Sequence, residues 1–201
     1  METRVIRAVY DEDTITVYQA YNQTIANAAV AHQTFAPPFK SDRMTWIKPS
    51  FLWMMYRCGW ATKENQERVL AIKMTRDGFN NALKQACLSS YDANVHSSYE
   101  AWRSQLQTAP VRIQWDPEKD IRLNPLSYKS VQIGLSGEIV KQYINNWITG
   151  INDITDYCTS IHQLIKAGKF NEAASLLPAE NLYLLPDSIA GKINSDQNSG
   201  K

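Results

Sequence analysis

Polar and apolar positions alternate first around residues 14–18, where Thr14, Thr16 and Tyr18 interleave with Ile15 and Val17 after an Asp11-Glu12-Asp13 turn. A period of two predicts a half-buried strand that ends at Gln19 to Asn22. The period then lengthens: Ile25, Ala26, Ala29 and Val30 recur at helical spacing behind Asn22, whose side chain suits an N-cap. A helix is expected over 23–32, and Pro37-Pro38 blocks its continuation. Residues 44–47 read as extended, because Lys48 precedes a proline and helical dihedrals are disfavoured there. Pro49 suits the first turn of a helix through 50–58, and Gly59 suits its end. Residues 68–74 predict a largely buried strand, and 76–86 a helix with Phe79, Ala82, Leu83 and Ala86 on one face.

In the second half, residues 98–106 predict a short helix with Tyr99, Trp102 and Leu106 inward. Residues 111–115 alternate as a strand closed by Asp116-Pro117, and 130–135 form another. Ile139, Val140, Tyr143, Ile144, Trp147, Ile148 and Ile151 make an apolar stripe. That stripe predicts a long helix over 137–151, rejoined over 154–167, so that the last third is helical. No repeat, low-complexity run or Gly/Ser linker divides the 201 residues, a length at which one core is normal. The pattern predicts one α+β domain over 1–190 and a polar, flexible tail over 191–201.

With hydrophobic residues at 44% and aromatics at 10%, the chain has enough apolar surface to offset the entropy of ordering, so disorder is excluded for its body. The formal charge of +1, from 21 basic and 20 acidic residues, supplies no global field towards nucleic acid or anionic lipid. Any such attraction has to be local. Cys58, Cys87 and Cys158 are far apart and outside any metal-ligand spacing, so they read as reduced core thiols and no metal is expected. No run reaches the roughly 18 apolar residues of a membrane span, and no signal-like segment opens the chain. A cytoplasmic protein without membrane contact is expected.

Dinucleotide, phosphate-loop, zinc-protease and serine-hydrolase signatures are absent, and His32, His96 and His162 form no centre. The densest chemistry lies in residues 42–63. If Pro49 opens a helix, Lys48 and Ser50 sit at its N-terminus, where free amides favour an anion, and Arg43, Arg57 and Lys63 are positioned to converge there. The competing reading makes Trp46, Trp53, Met54 and Trp60 core and the cations solvated. A second cluster joins Arg112, Gln114, Trp115, Asp116 and Glu118, although Asp116 before Pro117 is equally a turn former. Gln132, between Val131 and Ile133, must find hydrogen-bond partners or face a cleft. Tyr18, Gln19, Tyr21 and Asn22, at the end of the first strand, are candidates for the same cleft.

Residues 17–22 (Val-Tyr-Gln-Ala-Tyr-Asn), Arg43 through Trp60, 114–118 (Gln-Trp-Asp-Pro-Glu) and 130–135 (Ser-Val-Gln-Ile-Gly-Leu) closely resemble the family known as domain of unknown function 4291. The family name supplies no activity. The order of strands and helices also resembles ADP-ribosyltransferases, which implies a small split or mixed β-sheet flanked by helices. It further implies NAD as cosubstrate and transfer of ADP-ribose to an acceptor. By position, the resemblance makes Tyr18 or Gln19 contact nicotinamide or ribose, makes Thr45 support the pocket and puts Gln132 in the place of the catalytic glutamate. Arg43 and Lys48 would meet the pyrophosphate. A glutamine carries no charge to stabilise an oxocarbenium cation, which leaves Glu118 or Glu138 as substitutes.

Three readings follow. One is an ADP-ribosyltransferase-like enzyme with a cleft lined by Tyr18, Thr45 and Gln132. Another is a non-catalytic module for nucleotides or nucleic acid, in which Arg43, Lys48, Arg57 and Lys63 take phosphates and exposed Trp46 or Trp60 stacks on a base. The last is a structural or partner-binding protein with all six tryptophans largely buried.

Overall fold

The computed structural model describes residues 3–196. The elements run β1 (Thr3–Arg4), β2 (Arg7–Ala8), β3 (Thr14–Tyr21), α1 (Gln23–His32), β4 (Thr45–Ile47), α2 (Phe51–Cys58), β5 (Arg68–Thr75) and α3 (Arg76–Lys84). They continue with β6 (Ala86–Leu88), α4 (Tyr99–Thr108), β7 (Val111–Lys119), β8 (Pro125–Leu135) and α5 (Glu138–Gln142). A π-helical turn (Tyr143–Trp147), β9 (Ile148–Asp153), α6 (Thr155–Lys166), α7 (Phe170–Ser175), β10 (Asn181–Leu182) and α8 (Asp187–Ile193) complete an α+β fold.

Two sheets carry the architecture. In one, β5 lies between β3 and β9, all antiparallel. In the other, β8 pairs with β7 along one edge, and β7 passes on to the parallel strand β6. The other edge of β8 is shared, with β1 parallel at Tyr128–Lys129 and β4 antiparallel at Ile133–Leu135. Alternation decides what each face meets. Ile15 and Val17 of β3 and Leu70, Ile72 and Met74 of β5 join Val111, Ile113, Val131, Ile133 and Leu135 of the second sheet in the main core. Tyr18 and Val69 point the other way and form a second cluster with Phe51, Met54, Met55 and Cys58 of α2 and Cys158 and Ile161 of α6. All three cysteines are buried and free.

The sheets are joined by an isolated antiparallel bridge. Tyr18 N–H donates to the Lys48 carbonyl at 2.7 Å, and Lys48 N–H returns a bond to the Tyr18 carbonyl at 3.3 Å. The stretch from Thr45 to Lys48 therefore pairs with β8 through its first three residues and with β3 through its last.

The structure departs from the sequence pattern at several points. The long helix expected over 137–151 is α5 and a π-helical turn, followed by strand β9. The free edge of β5 explains this: Ile148, Thr149 and Ile151 are β-branched, and pairing satisfies their backbone against β5. The Gln33 side chain then closes the outer side of β9, bonding both the N–H and the carbonyl of Ile151 at 3.0 Å. The expected helix over 76–86 stops at Lys84, and Ala86 begins β6. Asp116-Pro117 does not end its strand, because β7 continues to Lys119 across a register shift that accommodates the proline. Helix α4 buries no residue; Tyr99 is half exposed, and Trp102 docks through its indole N–H on the Leu88 carbonyl. The first part of the expected tail is anchored, since Ile193 is fully buried and Asp196 N–H donates to the Arg4 carbonyl at 2.7 Å. Residues 197–201 lie outside the described residues.

Gly78 sets how closely α3 approaches the π-helical turn, because a Cβ there would lie 2.4 Å from Cγ of Trp147. Gly78→Ala should cost about 1–3 kcal/mol in urea denaturation through overpacking. Gly191→Ala, in a helix with open space around the new methyl, should be neutral or slightly stabilising in the same assay.

Candidate functional site

Beyond the Tyr18–Lys48 bridge, β3 and β4 run on without a backbone ladder, and a cleft of about 610 Å³ opens there. Its walls come from the end of β3 (Gln19 to Tyr21), residues 43–46 with Lys48, Met54 and Arg57 of α2, Asn65-Gln66, and Gln114 and Gln132 of the second sheet. Gln19, Tyr21, Arg43, Thr45, Lys48, Arg57 and Gln132, named from the sequence, thus meet around one space.

Side chains bridge this gap. The Gln19 amide donates to Thr45 Oγ1 at 2.6 Å and to the Tyr21 hydroxyl at 2.9 Å, and its carbonyl accepts from the Tyr143 hydroxyl at 3.0 Å. The Tyr21 and Thr45 hydroxyls are 3.0 Å apart, so one donates to the other. Two hydroxyl hydrogens serve one mutual bond, which leaves one O–H donor for the cleft. Burial pushes the Tyr21 phenol up to about 12 and also raises Tyr143 well above the ordinary tyrosine value, so both remain protonated.

Across the cleft, Gln132 and Gln114 are direct cross-strand neighbours. They donate to the two oxygens of Asp116, at 2.7 Å and 3.0 Å respectively. With their amides so engaged, their carbonyl oxygens have no hydrogen bond among the described residues and remain as acceptors.

The cations are the distinctive feature. Arg43 and Arg57 are exposed, Lys48 is 5% exposed, and no Asp or Glu is among the cleft-lining residues. Lys48 Nζ makes a single hydrogen bond, to the Trp46 carbonyl at 3.2 Å. Among the described residues, no carboxylate lies within ion-pair distance of Lys48, Arg43 or Arg57. Burial, followed by the charge of Arg57, brings Lys48 down to about 8, while Cys58 and Asp116 act weakly in the opposite direction.

Other expected members lie elsewhere. Tyr18 points into the second cluster, edge-on to Phe51 at 5.6 Å, as strand alternation requires once Gln19 faces the cleft side. Ser50 caps α2, accepting from Trp53 N–H at 3.1 Å, and is buried. The anion site expected at that helix start is filled by the protein itself, because Phe51 N–H donates to the Glu180 carboxyl at 2.6 Å. Arg57 and Lys63 do not converge there: Arg57 is in the last turn of α2, and Lys63 Nζ bonds the Arg57 carbonyl at 2.7 Å. Asn22 caps α1 through Ile25 N–H and lines an adjoining apolar pocket of about 320 Å³ with Ile25, Pro38 and Phe39. Glu118 is buried outside the cleft lining, and Glu138 pairs with Lys141 on the surface. Neither supplies the cleft with a carboxylate.

Sequence reading missed Tyr143, Met54, Asn65 and Gln66. Tyr143 reads as one more apolar residue of a helical stripe, and nothing local marks a hydroxyl that meets Gln19 across 124 positions. The period-two spacing of Gln114 and Asp116 was the signal for their shared face.

The fold and cleft define an α+β domain with a cationic, carboxylate-free pocket at the split between two sheets. Over residues 5–183 the chain matches the family described as a domain of unknown function, DUF4291, and it belongs to that family. No curated protein matches the chain.

Two titrations test this electrostatic arrangement. Between about pH 8 and the ordinary lysine value of 10.5, folded Lys48 is neutral while unfolded Lys48 is still protonated. The unfolded chain then binds more protons, so the contribution of Lys48 to stability rises with pH across that window. At pH 7, Lys48→Met should therefore be more stable than wild type by roughly 1–3 kcal/mol, a gap that closes towards pH 10.5. Glu180 is shifted the other way, up to about 8 from 4.5, mainly by burial and then by Glu118. Its contribution is full below pH 4.5 and is lost as pH rises through about 8. Glu180→Gln, which keeps the acceptor for Phe51, should gain stability relative to wild type across that interval in denaturant melts and then level off.

Proposed function

We propose that the cleft binds a phosphorylated nucleotide of the NAD and ADP-ribose class. The observation that carries this reading is the set of three cations, Arg43, Lys48 and Arg57, in a cleft lined by no carboxylate. Two arginine forks and an ammonium suit a diphosphate, because each charge is already desolvated in part or free of a competing acid. Around them, the Tyr21/Thr45 donor and the Gln114 and Gln132 carbonyl acceptors match sugar hydroxyls and the edge of a ring. The adjoining apolar pocket, reached past Tyr21 and Met44, suits a planar base.

The strand order and the position of Gln132 support an ADP-ribosyltransferase-like reading. In that reaction the bond between ribose C1′ and nicotinamide breaks with its electron pair leaving on nicotinamide, and an acceptor nucleophile takes the resulting cation. The nearest negative charge to Gln132 is Asp116, bonded to its amide at 2.7 Å, so the amide stands between the carboxylate and the cleft. That arrangement favours a second reading, a nucleotide-binding module without turnover. A base-stacking nucleic-acid surface has less support, because Trp60 is buried and Trp46 is half-buried over Gly134.

Thermal-shift titration with NAD and ADP-ribose tests the binding, with nicotinamide release measured in parallel. A ligand at about a hundredfold excess over Kd adds roughly 2.7 kcal/mol, a rise in melting temperature of about 5–10 °C for a chain of this size. Arg43→Ala should abolish the shift while leaving the unliganded melting temperature nearly unchanged, and added salt should weaken it. Nicotinamide release lost in Gln132→Ala would identify the transferase, and a shift without release the binding module. No shift with either ligand would overturn the nucleotide reading.

A further inference from the structure

We propose that Lys48 is an amine nucleophile that forms an imine with the free aldehyde of a phosphorylated sugar held in the cleft, its phosphates on Arg43 and Arg57. This rests on the reading of the cleft as a site for phosphorylated ligands, and it names the ligand class more narrowly: one with a reducing sugar end.

The geometry supports it in three ways. Lys48 is fixed at its backbone along one strand edge by the reciprocal bonds with Tyr18, and the preceding residues Thr45–Ile47 are held by β8, so its side chain emerges from a doubly paired segment. The residue is almost wholly buried yet lines the cleft, and among the described residues its Nζ has one hydrogen bond, to the Trp46 carbonyl, and no carboxylate to hold it as a cation. The charges and titratable groups that act on it are Arg57 and Cys58 of α2 and Asp116 of β7. Of these, Arg57 disfavours the ammonium, as a cationic neighbour does for Schiff-base lysines. The neutral amine is therefore accessible near pH 8.

The step balances without any oxidant or reductant. The Nζ lone pair attacks the aldehyde carbon, the carbonyl π electrons move to oxygen, and a proton passes from nitrogen to that oxygen to give a carbinolamine. The C–O bond then breaks with loss of one water, leaving the C=N bond. The free O–H of the Tyr21/Thr45 pair and the Gln132 carbonyl are available to hold the remaining sugar hydroxyls.

The test is reductive trapping. Wild-type protein is incubated with ADP-ribose, whose terminal ribose opens to an aldehyde, in the presence of cyanoborohydride between pH 7 and 9.5. Adducts are then located by peptide mass spectrometry. Lys48 should be labelled at least tenfold faster than an exposed lysine remote from the cleft such as Lys84. Its rate should level off above about pH 8. Inorganic pyrophosphate should suppress the Lys48 adduct alone. Lys48→Arg should lose the adduct, while labelling of Lys84 is unchanged. Labelling spread over exposed lysines with Lys48 unmodified, while ADP-ribose still shifts the melting temperature, would overturn the imine and leave the binding reading standing. Absence of both adduct and shift would remove both.

Discussion

The reciprocal hydrogen bonds between Tyr18 and Lys48 join two sheets that otherwise pair only within themselves, and the candidate site depends on that joint. One short stretch, 45–48, serves β8 with its first three residues and β3 with its last. Beyond the bridge β3 and β4 share no backbone ladder, and β4 pairs with β8 over Thr45–Ile47. Side chains span the gap instead, with Gln19, Tyr21, Thr45 and Tyr143 hydrogen-bonded to one another in a single network. The cleft is thus the gap left between β3 and β4 beyond the bridge.

The same joint explains the state of Lys48. A residue fixed in a strand between two sheets cannot swing its side chain far enough to hydrate the ammonium fully, so burial shifts it towards the neutral form. A carboxylate alongside would reverse that shift. The nearest candidate, Asp116, instead has both oxygens bonded to glutamine amides. Its charge is spread into a neutral pair of side chains, and the cleft keeps a net excess of positive charge in a protein whose formal charge is only +1.

Helix α2 separates this cleft from a second buried polar cluster of opposite character. Its N-terminus carries the Glu180 carboxyl on the Phe51 amide, with Glu118 close by, and its C-terminal half presents Met54 and Arg57 to the cleft. Phe51, Met55 and Cys58 meanwhile anchor it in the second hydrophobic cluster. The chain's own carboxyl group thus occupies the helix start, and the free cations lie to one side of it. Capping explains the choice: an internal side chain reaches an orphan amide at the local cost of one loop, whereas a diffusible anion would first have to bind.

Local periodicity determined a good share of this protein: β3, α1, α2 and β5 were legible because alternation, an Asn cap and a Gly stop act over a few residues, although α2 starts behind a Ser50 cap and not at Pro49. The density of cations in 42–63 and the oddness of Gln132 in a buried strand were legible for the same reason. What local pattern could not contain was partner choice. Ile148 to Asp153 follow a helical stripe, and only the open edge of β5 turns them into a strand. Tyr18 and Gln19 are neighbours in the chain, and only packing on α2 sends one into a core while the other reaches the cleft. Whether a cation is paired, a helix start is free or a hydroxyl is spent depends on groups more than a hundred residues away, as with Glu180 on Phe51 and Tyr143 on Gln19. Those pairings are set by tertiary structure, because hydrogen bonds and charges act over ångströms of space whatever their separation along the chain.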